Sequence, residues 1–295
     1  MKIVVSGATG HIGQATCALL RETHEVIAFG SKDIDLTKDE AVPAIAKLLE
    51  GADALIHLAA WHPPATASTT ADDRKRLLET NVMGTMRVLE AARGGRVKAV
   101  VYASSFEVYG TPESARIDED HPTRPLSDYG ATKLAGEDHL LAFAYEENTR
   151  AVALRMPAVY GPGEKTPRLL PSCLAKVARG ERPVIEGDGE DLRDQLHVRD
   201  AALALRLAVE KDVEGIFNVA DGREHSVAEV ARTAMKVAGL SGEPERAPRK
   251  KPRLDYHMSI ARAEKALGFT PRVALEEGMR EQLEWLKKRL VAGAS

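Results

Sequence analysis

The chain has 295 residues, 44% hydrophobic and 29% charged, and a formal net charge of -3. That length and balance suit a soluble globular chain built as one large domain, or as one domain with a smaller appendage. The charge excludes the strong basic field of a nucleic-acid binder, and no apolar run approaches the roughly 20 residues of a membrane span.

Lys2–Ser6 has the apolar run of a strand, and Ile12–Glu22 the pattern of a helix. Between them stands Ser6-Gly7-Ala8-Thr9-Gly10-His11-Ile12-Gly13. Three glycines at spacing three let backbone N–H groups approach a diphosphate, and the helix that follows points its positive end at that anion. Glu25–Phe29 is a second strand, followed by a helical stretch near Asp39–Glu50. Ala54–Ala60 is a continuous apolar run, as expected of a strand covered on both faces. Asp72–Ala92 has helical periodicity, Ala99–Ser104 reads as a strand, Tyr129–Glu147 as a long helix and Ala151–Leu154 as a strand. This alternation predicts an α/β chain: a Rossmann-type, doubly wound parallel sheet with helices on both faces.

The texture changes after about residue 157. Glycine-rich breaks separate helical patterns at Arg168–Arg179, Arg199–Lys211, Val227–Ala238 and Leu275–Leu290. The expected organisation is a dinucleotide-binding domain over 1–157, with parts of 190–220, and a smaller, mostly helical substrate-binding part over 158–295. The basic run from Arg246 to Arg253 reads as a solvated loop or as a phosphate-contacting one. The two cysteines, Cys17 and Cys173, offer neither pairing nor metal-ligand spacing. With Met1-Lys2 leading straight into the first strand, a cytoplasmic location is expected, with no metal, membrane or nucleic-acid partner.

Tyr129 and Lys133 lie four apart, hence on one helical face. A free phenol titrates near 10, so a tyrosine base working near neutrality needs a neighbouring cation. Ser104 and Ser105 close a strand at the sheet edge where ligands bind, and either can hold a substrate oxygen or cap the strand end. His57, His62 and His197 share no ligand spacing and read as structural. Trp61, beyond the third strand, could wall a substrate pocket.

Taken with Asn81-Val-Met-Gly-Thr85, Ser104-Ser-Phe-Glu-Val-Tyr-Gly110, Leu154-Arg-Met-Pro-Ala-Val-Tyr-Gly-Pro162 and Arg193-Asp-Gln-Leu-His-Val198, these motifs resemble the extended short-chain dehydrogenase/reductases. Within them the NAD-dependent epimerase/dehydratase branch is most similar, and the resemblance runs the length of the chain. It implies that Tyr129 is the catalytic acid/base, that Lys133 holds the nicotinamide ribose and lowers the tyrosine pKa, and that Ser105 binds the reacting oxygen. It implies NAD(P) contacts from Gly7, Thr9, Gly10, His11, Ile12, Gly13, Asp35, Leu36, Leu58, Ala59, Ala60, Ala103, Ser104, Met156, Pro157 and Val159, with Asn81 bracing the sheet against a helix. It also implies a nucleotide-sugar substrate and a homodimer formed through the two long helices.

Four departures refine this. Ser31 and Lys32 follow the second strand where NAD-preferring members carry an acid, which tips the cofactor toward NADP. Phe106 stands where the 4,6-dehydratases carry an aspartic acid, and a phenyl ring moves no proton, while Glu107 beside it is a candidate second acid/base. Ala158 replaces an asparagine of the nucleotide subsite. Arg168 and Glu186 replace its uridine contacts, and with Arg193 and Arg253 they complete the candidate substrate-binding set.

Overall fold

A computed structural model describes residues 1–64, 69–250, 252–291 and 293. The strands are β1 (Lys2–Ser6), β2 (Glu25–Phe29), β3 (Ala54–His57), β4 (Ala99–Ser105), β5 (Arg150–Met156), β6 (Val159–Tyr160), β7 (Val184–Glu186), β8 (Leu196–His197), β9 (Gly215–Asn218) and β10 (Glu245–Ala247). The helices are α1 (His11–Leu20), α2 (Ala41–Leu48), α3 (Ala71–Leu77), α4 (Gly84–Ala92), α5 (Asp128–Glu147), α6 (Leu169–Val177), α7 (Val198–Glu210), α8 (Val227–Ala238), α9 (Ala261–Leu267) and α10 (Leu275–Val291).

Six parallel strands form one sheet in the order β2-β1-β3-β4-β5-β9. The chain steps from β1 outward to β2, then returns past β1 to lay β3 on its other side. That reversal opens a crevice at the carboxyl ends of β1 and β3, where open α/β sheets bind ligands. One apolar cluster joins Ile3, Val5, Ile56, Val101, Val152 and Leu154 to α1 and α7. A second joins Val4, Leu55, Val100 and Ala153 to α2, α4 and α5. Alternate residues of each strand feed opposite faces, so both faces are apolar, and the strands read as unbroken hydrophobic runs for that reason.

The smaller part has its own core, in which Leu170, Leu174, Ile185, Ala231, Met235 and Met279 bring α6, α8 and α10 together. It is not purely helical: β7 pairs with β10 and β6 with β8. The sixth strand of the main sheet, β9, comes from Gly215–Asn218, and α7 on the sheet's face from Val198–Glu210. Ala54–Ala60 does not stay in the sheet throughout, since β3 ends at His57 and the next three residues bend along the crevice. The predicted helix Asp72–Ala92 carries a π-helical turn at Leu78–Met83. Both cysteines are buried and unpaired. Among the described residues no helix is long and apolar enough to cross a membrane.

Candidate active site

The glycine loop is shaped by close approach of backbone to backbone. Gly7 has φ of +70°, and a Cβ on it would lie 2.5 Å from the Ala59 amide nitrogen. A Cβ on Gly13 would fall 2.2 Å from the Gly7 carbonyl oxygen. Only glycine fits either position, and the bare backbone leaves the first N–H groups of α1 facing the crevice. A cavity of about 440 Å³ runs from Gly7, Thr9 and Gly10 past Ser31 to Asp35, Leu36 and Thr37, with Leu58, Ala59, Ala60 and Trp61 along one wall. Such a groove, with an anion-binding helix end and a largely apolar wall, fits a dinucleotide.

At the end of β2, Asp33 turns back and its carboxylate accepts a bond from Gly30 N–H at 2.8 Å. Ser31 lines the cavity, whereas Lys32 is exposed and is not among the lining residues. Two further lining residues, Arg76 and Thr80, had no motif to announce them. They enter because α3 and the π-helical turn lie across the cavity mouth. Trp61 belongs to this cavity too, with the Arg76 guanidinium 4.7 Å over its ring.

Trp61 is held by Asn81, whose Oδ1 accepts from Trp61 N–H at 2.7 Å while Nδ2 donates to Trp61 O at 2.9 Å. The same Nδ2 lies 3.1 Å from Thr132 Oγ1 on α5. The π-helical turn swings Asn81 inward, as such bulges often do at functional sites. Nearby, Thr85 Oγ1 donates to Asn81 O at 2.6 Å and therefore accepts from His57 Nε2 at 3.0 Å. That leaves His57 Nδ1 to accept from the Ser6 hydroxyl at 2.6 Å. The ring is neutral and fully committed, and burial with the nearby Lys133 charge holds its pKa down to about 3.

A continuation of the crevice, about 260 Å³, is lined by Gly7, Gly10, His11, Ile12, Gly13, Ala103, Ser104, Ser105, Tyr129, Lys133, Met156, Pro157 and Val159. His62, Glu164 and Arg168 complete the wall. Strand β4 delivers the serines and the first turns of α5 deliver Tyr129 and Lys133. Ser127 caps α5, its hydroxyl accepting from Gly130 N–H at 2.9 Å. Ser105 Oγ accepts from Glu107 N–H at 3.2 Å. Ser104, which also lines the cavity, donates its hydroxyl to the buried Glu137 carboxylate. His11 Nδ1 stands 3.2 Å from Glu164 Oε2. Against the upward push of burial, bonds from His11 and Thr166 hold the Glu164 carboxyl down at about 2.

Burial raises the Tyr129 phenol well above its ordinary value, the Glu107 charge adds to the rise, and Arg168 opposes it. Burial lowers Lys133 to about 7, with the Glu137 charge pulling the other way. Its Nζ sits 4.5 Å from the Tyr102 ring centroid and 5.9 Å from that of Tyr129. Burial raises the Glu107 carboxyl, but bonds from His62 and Ser127 outweigh it and leave the group below its ordinary range. Glu107 Oε2 accepts from the Ser127 hydroxyl at 2.5 Å.

A third cavity, about 190 Å³, adjoins the second through Pro157, Val159 and Arg168, and is walled by Phe106, Ala158, Leu169, Pro171 and Tyr256. Phe106 meets Tyr256 edge-on at 4.9 Å. Arg193 lines this cavity, its guanidinium donating to the carbonyls of Leu192 and Leu254. Glu186 and Arg253, expected at the substrate, line neither cavity. Glu186 is exposed on β7 and pairs with Lys250 at 3.5 Å, and Arg253 pairs with Asp255 at 3.0 Å. The short β7–β10 pairing turns this part of the basic run toward its own carboxylates, and Arg249 likewise binds Asp188 and Asp191. Lys251 lies outside the described residues.

The low pKa of Lys133 has a consequence for stability. Its ordinary value is 10.5 and its folded value about 7. Between those limits the unfolded chain holds the extra proton, so cofactor-free stability rises with pH there, on the order of 1 kcal/mol per pH unit from this group. Lys133→Met should lack that increment. Urea unfolding of both proteins from pH 7 to 9 checks it, and parallel stability curves would contradict it.

The chain is 31% identical over 307 residues to UDP-glucose 4-epimerase of Corynebacterium glutamicum, a match covering 92% of this chain and 91% of that protein. Its fold is similar to that of a Thermotoga maritima UDP-glucose 4-epimerase solved with UDP-glucose, with TM-score 0.86 and 28% identity over 98% of this chain and all of that one. It is also similar to RMD of Pseudomonas aeruginosa complexed with NADPH, with TM-score 0.85 and 27% identity over 98% and 99% of the two chains. The model of the NAD dependent epimerase/dehydratase family matches residues 3–220, and this chain, an NAD(P)-dependent enzyme, belongs to that family.

Proposed function

We propose that this enzyme is a nucleotide-sugar epimerase that works through a transient ketone, with Tyr129 moving the proton. The observation that carries the reading is the convergence of Ser105, Tyr129 and Lys133 on one cavity continuous with the glycine loop. Gly7, Gly10, Gly13, Leu58, Ala59 and Ala60 would hold NAD(P) along the crevice, with Asp35 and Leu36 at its far end. When bound, that cofactor would supply a hydride acceptor and donor. Ser105 Oγ holds the reacting substrate oxygen by a hydrogen bond. Tyr129 Oη takes the hydroxyl proton as the ketone forms and gives it back after the sugar turns over. Lys133, over two aromatic faces, is the cation that favours the phenolate. Phe106 packs on Tyr256 and carries no proton, which favours epimerisation over elimination of water. Arg168 and Arg193 flank the adjoining cavity and suit the substrate's diphosphate.

Tyr129→Phe should lower kcat by about 10²–10⁴-fold on the nucleotide sugar that the enzyme turns over. Absorbance in the reduced-nicotinamide band should show no net change during turnover. Undiminished kcat in the variant would overturn the role of Tyr129. A steady rise or fall in that band would assign a dehydrogenase or reductase instead.

For the cofactor we favour NADP over NAD. At the end of β2 the Asp33 carboxylate is spent on Gly30 N–H, while the neutral Ser31 lines the cavity. Titration of the cofactor-free enzyme should give the lower Kd for NADP. Tighter binding of NAD would reverse the assignment.

A homodimer through α4 and α5 is supported by apolar side chains left in water on and beside those helices. Leu78, Met83, Met86, Leu141 and Tyr145 are exposed, Tyr145 at 90%. Light scattering should give a dimer that Leu141→Glu with Tyr145→Glu converts to monomer. A monomeric wild-type protein would remove the proposal.

A further inference from the structure

His62 lies against the proton-transferring group. Its ring centroid is 4.4 Å from that of Tyr129, with the planes 54° apart. Its Nδ1 is 2.6 Å from Pro63 O. A carbonyl oxygen only accepts, so Nδ1 carries a hydrogen. The other nitrogen, Nε2, faces Glu107 Oε1 at 3.7 Å. A bare lone pair would repel a carboxylate there, and the contact is attractive only when Nε2 is also protonated. Glu107 cannot turn aside without losing the Ser127 hydroxyl on its second oxygen. A fixed negative charge therefore faces the phenol, and it opposes the ionisation that the proposed chemistry needs.

We propose that His62 is a positioning residue for Tyr129, its imidazolium held between the Glu107 carboxylate and the phenol ring so that it shields the phenol from that charge. This rests on Tyr129 being the proton-transferring group. The other charges around the phenol are Lys133 from the next turn of α5 and Arg168 from the start of α6. Asp128, beside Tyr129 in the chain, pairs with Arg74 at 3.9 Å. All are present in each variant below, so differences between variants report on His62. Without Glu107 the negative charge that the imidazolium shields is gone, and the shielding loses its object.

The test follows the phenolate band of the cofactor-loaded enzyme against pH, taken as the difference from Tyr129→Phe, alongside the pH profile of kcat. His62→Phe keeps an aromatic ring on Tyr129 but carries no proton, and should move both titrations upward by about one pH unit. His62→Gln, smaller and uncharged, should do the same, which guards against misfolding of the first variant. In a Glu107→Gln background, His62→Phe should move neither. Wild-type titration in His62→Phe and His62→Gln would overturn the proposal, and so would an equal shift in both backgrounds, since that would assign the effect to packing. Full turnover by Tyr129→Phe would instead overturn the assignment of Tyr129, a separately visible failure.

Discussion

The ion pair between Arg155 and Glu137 is the constraint on which the site depends. Arg155 Nη2 lies 2.6 Å from Glu137 Oε2, and both side chains are almost wholly buried, 4% and 1% exposed. Arg155 Nε also reaches both carboxylate oxygens, at 2.9 and 3.2 Å. Ser104 adds a hydroxyl to the same carboxylate, and the Tyr109 ring covers the guanidinium at 4.7 Å. One carboxylate thus binds β4, β5 and α5 together. Losing one partner of such a pair costs about 3–5 kcal/mol, against about 5–15 kcal/mol for a whole domain. Because Glu137 is one turn beyond Lys133, the pair also sets how α5 lies on the sheet. Tyr129 and Lys133 reach the end of β4 beside Ser105 as a result.

Burial creates the electrostatic problem that the site must solve. Removal from water disfavours the charged form of both a phenol and an ammonium, and burial accordingly shifts Tyr129 upward and Lys133 downward. The carboxylate of Glu107 makes the phenol harder still to ionise. Lys133, Arg168 and the His62 ring surround it with compensating groups, each from a different stretch of chain. Charge in this pocket is a property of the assembly, not of any motif.

Much of the fold was legible because its signals are local. The β1–loop–α1 unit follows from Gly7, Gly10 and Gly13, where no Cβ fits. The doubly wound sheet follows from unbroken apolar strands alternating with helical patterns. Short strands such as β6, β7, β8 and β10 were not legible, since two or three residues carry no periodicity and pair only with distant partners. The same holds for Arg76 and Thr80, which join the larger cavity only because α3 and the π-helical turn cross its mouth. Glu186 and Arg253 illustrate the converse: near β7 and β10 each pairs with a neighbouring charge, Lys250 and Asp255, which no local pattern announces.

The sequence by itself determined the class of chemistry. A glycine loop on which a dinucleotide can dock, and a Tyr129–Lys133 pair at helical spacing, are encoded within a few residues each. Tertiary structure decided the environment of those groups: that the Glu107 charge acts on the phenol, that His62 packs on the phenol ring and faces Glu107, and that Ser104 ties its hydroxyl to the Arg155–Glu137 pair. Contacts of this kind join residues far apart in the chain, and their strength depends on desolvation that exists only once the sheet, α5 and the crossing loops have closed around them.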